Sequence, residues 1–130
     1  MKKKIPPPYS FIFDYLGPKE PTIKPMFGCF AIYIEQRLVF ILRKRKDHPK
    51  DNGVWIATSK EHHSTLAKEF ASMRSISFLG KEPTNWQLLP ESADDFEASV
   101  LHACRLVAKG DPRIGRITRL KSRKTKPQDN

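Results

Sequence analysis

The residues best suited to chemistry in this chain are its cations. Arg43-Lys44-Arg45-Lys46 is an unbroken basic run, and the C-terminal end adds Arg113, Arg116, Arg119, Lys121, Arg123, Lys124 and Lys126. Lysine and arginine bind phosphate backbones by releasing condensed counterions, with no base contact required. A charged loop and a charged tail could grip a duplex from two places, which makes nucleic acid one expected partner. The same residues have a plainer use. Charge beside a strand blocks edge pairing, and basic tails keep proteins soluble, so a protein partner stays open. No recognition-helix pattern, zinc-finger spacing or RNA-binding aromatic motif accompanies the cations.

The other reactive residue types fit structural roles better. Cys29, in Met26-Phe27-Gly28-Cys29, would need a nearby base and a lowered pKa to act as a nucleophile. His48, His62, His63 and His102 stand at no recognised spacing from it, and a cysteine in an apolar strand is ordinarily core. Gly28 is expected to mark a bulge or a close backbone approach. His62 and His63 are adjacent, so on a helix they point about 100° apart and do not share one ion. Neither they nor His102 with Cys104 match a metal motif, and no metal or cofactor is expected. Asp94-Asp95, with Glu91 and Glu97 near, reads as charge placed at a helix start to suit its dipole. Trp55 and Trp86 read as core. No catalytic constellation is left, and the chain is not expected to be an enzyme.

These residues sit on a chain of 130 residues, 38% apolar and 29% charged, a size and composition that suit one globular domain. No apolar stretch approaches the length of a membrane span. Prolines 6–8 fall where the apolar segment of an export signal would lie, so a cytoplasmic location with reduced Cys29 and Cys104 is expected. The net charge of +10 is concentrated at the ends. Three lysines lie in residues 1–4, and residues 111–130 hold seven basic and two acidic residues. The stretch 5–110 balances fourteen basic against twelve acidic residues. The expected organisation is a basic arm over 1–8, one domain over 9–110 and a flexible basic tail over 111–130.

Within the domain, Tyr9 to Leu16 is dense in large apolar groups and predicts a short helix capped by Ser10. Prolines 18, 21 and 25 keep the following stretch extended. Met26 to Ile34 is apolar on both alternating faces and predicts a central strand. It pairs through a break at Glu35-Gln36 with Arg37 to Arg43, and Val54 to Ala57 makes a third strand. Thr58 and Glu61 fit a capping box. Leu66, Phe70 and Met73, at i, i+4 and i+7, predict an amphipathic helix over 60–73. Ser75 to Phe78 and Trp86 to Leu89 are short strands. A last helix, capped by Ser92, carries Phe96, Val100, Ala103 and Val107 and ends at Gly110. The fold class is α+β, in the order α-β-β-β-α-β-β-α, with helices packed on an antiparallel sheet of about five strands.

That order, with Lys24-Pro25-Met26-Phe27-Gly28 running into Ala31-Ile32-Tyr33, resembles the N-terminal domain of the TfoX family over about residues 9–108, and more loosely the YjbR-like proteins. The resemblance implies a bacterial domain that acts by binding, associated with regulation of competence and, for YjbR-like proteins, with DNA. Glu35-Gln36 stands where members often have an Asp-Gly turn. TfoX proteins carry a second domain where this chain has a basic tail, so their regulatory role does not transfer. A homodimer is compatible with a sheet that leaves a free edge or face.

Overall fold

The computed structural model describes residues 7–76 and 85–117. Among them, six strands form one antiparallel sheet: β1 (Thr22–Met26), β2 (Cys29–Ile34), β3 (Arg37–Arg43), β4 (Gly53–Ile56), β5 (Gln87–Pro90) and β6 (Arg116–Ile117). They run in the order β1-β2-β3-β4-β5, with β6 paired to the start of β3. Two helices, α1 (His63–Ala67) and α2 (Phe96–Lys109), complete the α+β architecture.

The sheet is sandwiched. On one face Ile32, Phe40, Leu42, Val54, Ile56 and Leu89 pack against Val100, Ala103, Cys104 and Leu106 of α2, with Ile12, Leu16, Leu66 and Phe70 closing the sides. On the other, Ala31, Ile41, Trp55 and Leu88 form one cross-strand row, with Ile76 against it. The nearly continuous apolar runs of β2, β3 and β4 follow from these two covered faces. Between Ile32 and Tyr33 the β2–β3 register shifts, so that Val39 and Phe40 both enter the α2 face.

The sheet begins earlier than the sequence pattern suggests. Residues 26–34 are not one strand: Phe27 and Gly28 have φ of 49° and 78° and turn the chain back, pairing Met26 with Cys29. Two positive φ values in a two-residue loop make a type I′ hairpin. Gly28 is thus a turn residue rather than a bulge. A Cβ on it would collide with the Arg45 guanidinium, so the expected close approach is a side chain's. β1 is an edge strand, and Pro25 lies in it opposite Phe30. Hydrogen-bonded pairs alternate from the hairpin-closing pair 26–29, so position 25 falls at a non-hydrogen-bonded pair. Its missing N–H there costs the sheet no bond and leaves the outer edge one donor short.

Other elements are shorter or shifted. Residues 10–14 form a 3-10 turn behind Tyr9, whose φ is 57°, and Ser10 lies inside it rather than capping it. The helix expected over 60–73 reduces to a 3-10 turn at Lys60–His62 and the five-residue α1. Its capping box does not form: Ser59 precedes the turn, and the buried Thr58 hydroxyl has no hydrogen-bond partner among the described residues. Leu66 and Phe70 still reach the core, because Phe70 N–H bonds to the Leu66 carbonyl as the chain turns away. Arg74 makes a single bridge to Leu88, one residue before the strand expected at 75–78; of that strand, Ser75 and Ile76 are not in a strand, and residues 77 and 78 lie outside the described residues. Asp94 and Asp95 precede α2 instead of lying in its first turn; Ser92 does not cap it, and Asp95 Oδ1 is buried without a described partner. Gly110, in the left-handed conformation, ends the helix as expected.

The packed chain does not stop at Gly110. Ile114 is 2% exposed in the main core, Gly115 N–H bonds to the Ala57 carbonyl at 2.7 Å, and β6 follows. The boundary of the packed domain therefore lies at or beyond Ile117. Of the expected arm, residues 7 and 8 are half-buried, and residues 1–6 lie outside the described region, as do 118–130.

Candidate nucleic-acid interface

The basic run at 43–46 leaves β3 and enters the loop that returns as β4. Its first member points inward. Arg43 is 2% exposed, and its guanidinium donates to the His48 carbonyl at 2.9 Å, the Asp47 carbonyl at 2.8 Å and Asn52 Oδ1 at 2.7 Å. Asn52 acts like a strand residue: its Oδ1 also accepts Arg45 N–H and its Nδ2 donates to the Arg45 carbonyl, both at 2.9 Å. A planar guanidinium with several donors suits a loop that presents carbonyls to its own interior. His48, with φ of 47°, starts the 3-10 turn Pro49–Asp51. Asp51 is buried and paired with Arg74 at 3.3 Å, while its carbonyl accepts the Trp55 indole N–H. Arg74 also donates to the Lys50 carbonyl. Arg43 therefore braces the loop and offers nothing to a phosphate.

The three cations after it face outward. Lys44 pairs with Glu91 at 2.9 Å, and Glu91 in turn accepts the Tyr9 hydroxyl at 2.7 Å. Burial pushes the Glu91 carboxyl up, but the Lys44 and Tyr9 hydrogen bonds outweigh it and hold the pKa below the ordinary value. Burial, then the hydrogen bond to Glu91, push the Tyr9 phenol well up. Arg45 pairs with Asp47 at 2.7 Å, which lowers the Asp47 carboxyl, and donates to the Phe27 carbonyl at 3.2 Å. Lys46 is exposed and has no ion pair among the described residues. Residues 43–50 hold five cations and one carboxylate, so the corner stays positive.

Arg45 ties this loop to the β1–β2 tip, where Phe27 is 92% exposed. Sequence reasoning missed this residue, because an apolar run hides a turn. The available signal was the Phe-Gly dipeptide between two β-rich stretches.

The expected contacts at the C-terminal end divide. Arg113 is held at 2.8 Å by both Asp111 and Glu69, and Glu69 also meets His102 Nε2 at 2.8 Å. Arg113 lowers the Asp111 carboxyl to about 2. Arg116 is exposed on β6, where its guanidinium reaches the Thr58 carbonyl at 3.4 Å. Arg119, Lys121, Arg123, Lys124 and Lys126 lie outside the described residues. Arg43 and Arg113 are thus structural cations, and Lys44, Arg45, Lys46 and Arg116 are the expected contacts that reach the described surface.

The remaining candidates stay apart. Cys29 is half-buried and Cys104 buried, both as free thiols; burial raises both, Cys104 to about 12. His63 bonds to the Asn85 carbonyl, and His62 lies beside Glu61. No cluster of three metal-ligating side chains occurs among the described residues. Trp55 and Trp86 meet edge to face at 6.0 Å on the second sheet face. A shallow concavity of about 380 Å³ lies beside Phe13, Pro18 and Ile23, away from the basic corner. No helix among the described residues is long and apolar enough to cross a membrane. Comparison with protein-family models, with curated proteins and with solved structures gave no match.

Proposed function

We propose that this chain is a bacterial, cytoplasmic binding domain of the TfoX N-terminal and YjbR-like kind, without enzymatic activity, and that its partner is a nucleic acid. One observation carries the choice of partner. Lys44, Arg45 and Lys46 project from a loop braced from within by Arg43, beside an exposed aromatic ring. A braced loop presents its charges with little further ordering cost, which favours electrostatic capture of a polyanion. The raised thiols and engaged histidines favour binding over catalysis. A protein partner, including a second copy, is the second reading, and the exposed β1 edge with Ile23 favours it.

A salt titration of binding to a mixed-sequence duplex and to an oligothymidine tests the first reading. Cutting the chain after Ile117 removes five cations, and the slope of log K against log salt should flatten by about 4.5 if all five meet duplex phosphates. Lys46→Ala should reduce it by about 1. No binding to either nucleic acid at low salt would reject the reading in favour of a protein partner.

A further inference from the structure

Phe27 is placed where neither folding nor packing calls for it. In a type I′ turn the first central position takes positive φ, for which asparagine, aspartate or glycine is favoured, and a bulky residue there costs roughly 1 kcal/mol. Its ring belongs to neither core cluster and is almost entirely in water. A singly exposed apolar ring is ordinary, but one held on a strained backbone gains nothing within the chain, and it is the strain beside a basic loop that points to a contact.

The surroundings say what the contact would be. The Phe27 carbonyl is held by Arg45, which is itself held by Asp47, so the ring stands on a fixed tip. Lys46 follows Arg45 in the adjoining loop, whereas Lys24, three residues back along β1, turns its ammonium onto the Tyr33 ring, 5.2 Å from its centre and away from the tip. An aromatic face beside a basic loop is the arrangement that stacks a base while lysine and arginine of the loop meet the neighbouring phosphates. In a duplex the base faces are covered, except at the ends, and one phenyl on a hairpin tip is not a groove reader.

We propose that Phe27 is a stacking platform for an unpaired base, so that the basic corner takes single-stranded nucleic acid in preference to duplex. The proposal rests on the nucleic-acid reading above and adds the strandedness and the contact residue.

The test uses the full chain with Phe27→Ala, Phe27→Leu and Phe27→Trp, each checked by its thermal unfolding. Binding to an oligothymidine, a hairpin duplex and vesicles of mixed neutral and anionic phospholipid is measured at one salt concentration. Alanine and leucine should each weaken oligothymidine binding by about 5- to 100-fold, tryptophan should retain it, and duplex binding should not change. Leucine separates stacking from plain apolar contact, because it keeps the oil but not the flat face. Oligothymidine binding that persists unchanged in the alanine or leucine variant would overturn the stacking proposal and leave the nucleic-acid reading standing. Absence of binding to both nucleic acids would remove both readings. If vesicle binding then depended on Phe27, the tip would be a membrane contact instead.

Discussion

The loop after β3 and the tip between β1 and β2 meet at Arg45, yet they treat their side chains in opposite ways. In the loop, Arg43 is buried and its charge is met by two carbonyls, Asn52 and, at 3.6 Å, the Asp47 carboxylate, so a residue that looks like surface charge is scaffold. At the tip, Phe27 looks like core and stands in water on a left-handed backbone. Residue type alone misassigns both. What separates them is whether a side chain has something to gain inside the fold, and that depends on how a loop closes. The loop's stability is internal, whereas the tip's ring packs into neither core cluster.

The largest test of this contrast is Arg43→Ala. It removes three hydrogen bonds and the buried side chain that fills the loop, leaves Asn52 Oδ1 with the Arg45 N–H alone, and should destabilise by about 2–4 kcal/mol in urea unfolding. Lysine should rescue only part, since an ammonium lacks the planar fork. A cost under 1 kcal/mol for alanine would mean that the loop is not braced as described. A pH titration probes a different structural cation, Arg113. The Asp111 carboxyl is lower in the folded chain, about 2, than its ordinary 3.8. Its stabilising contribution is therefore complete above about pH 4 and is lost as the pH falls toward 2. Thermal unfolding midpoints should drop across that window, and Arg113→Ala should shrink the drop. At the tip, Phe27→Asn should stabilise by about 0.5–1 kcal/mol by relieving the strained turn, while weakening binding. If it destabilised instead, the ring would have an internal role. The smallest effect is expected for Lys46→Ala, within about 0.5 kcal/mol in stability, with its consequence confined to the salt dependence of binding.

These contrasts also explain what could be read in advance. β3, β4, β5 and α2 were legible because each has a covered face with regular spacing. The β1–β2 turn was not, since Phe27 extends an apolar run and its φ has no signature in residue type. Leu66, Phe70 and Met73 kept helical spacing although the helix ends at Ala67, because a single turn suffices to bring Phe70 under Leu66. The segment 111–117 has the sequence of a tail because one buried isoleucine among charged residues makes no periodic pattern. Ile114 is anchored by distant partners, Ala57 through Gly115 and Glu69 through Arg113, which a local reading does not see. Within the candidate interface, the position of the charge was legible and its direction was not.

The brace around Asn52 has a consequence for how the chain ages. Asn52 precedes Gly53, the pairing in which a backbone nitrogen most readily attacks the side-chain amide and converts asparagine to aspartate or isoaspartate. Here that amide is pinned by three hydrogen bonds, two accepted from Arg43 and Arg45 and one donated to the Arg45 carbonyl, and the residue is buried. The folded chain should deamidate slowly at this site and the urea-unfolded chain quickly, a difference that peptide mass spectrometry would read after incubation at mildly alkaline pH. Each excursion to the unfolded state is then a chance for permanent damage to the loop that presents the basic corner. The lifetime of the basic corner is thereby coupled to how rarely the loop opens.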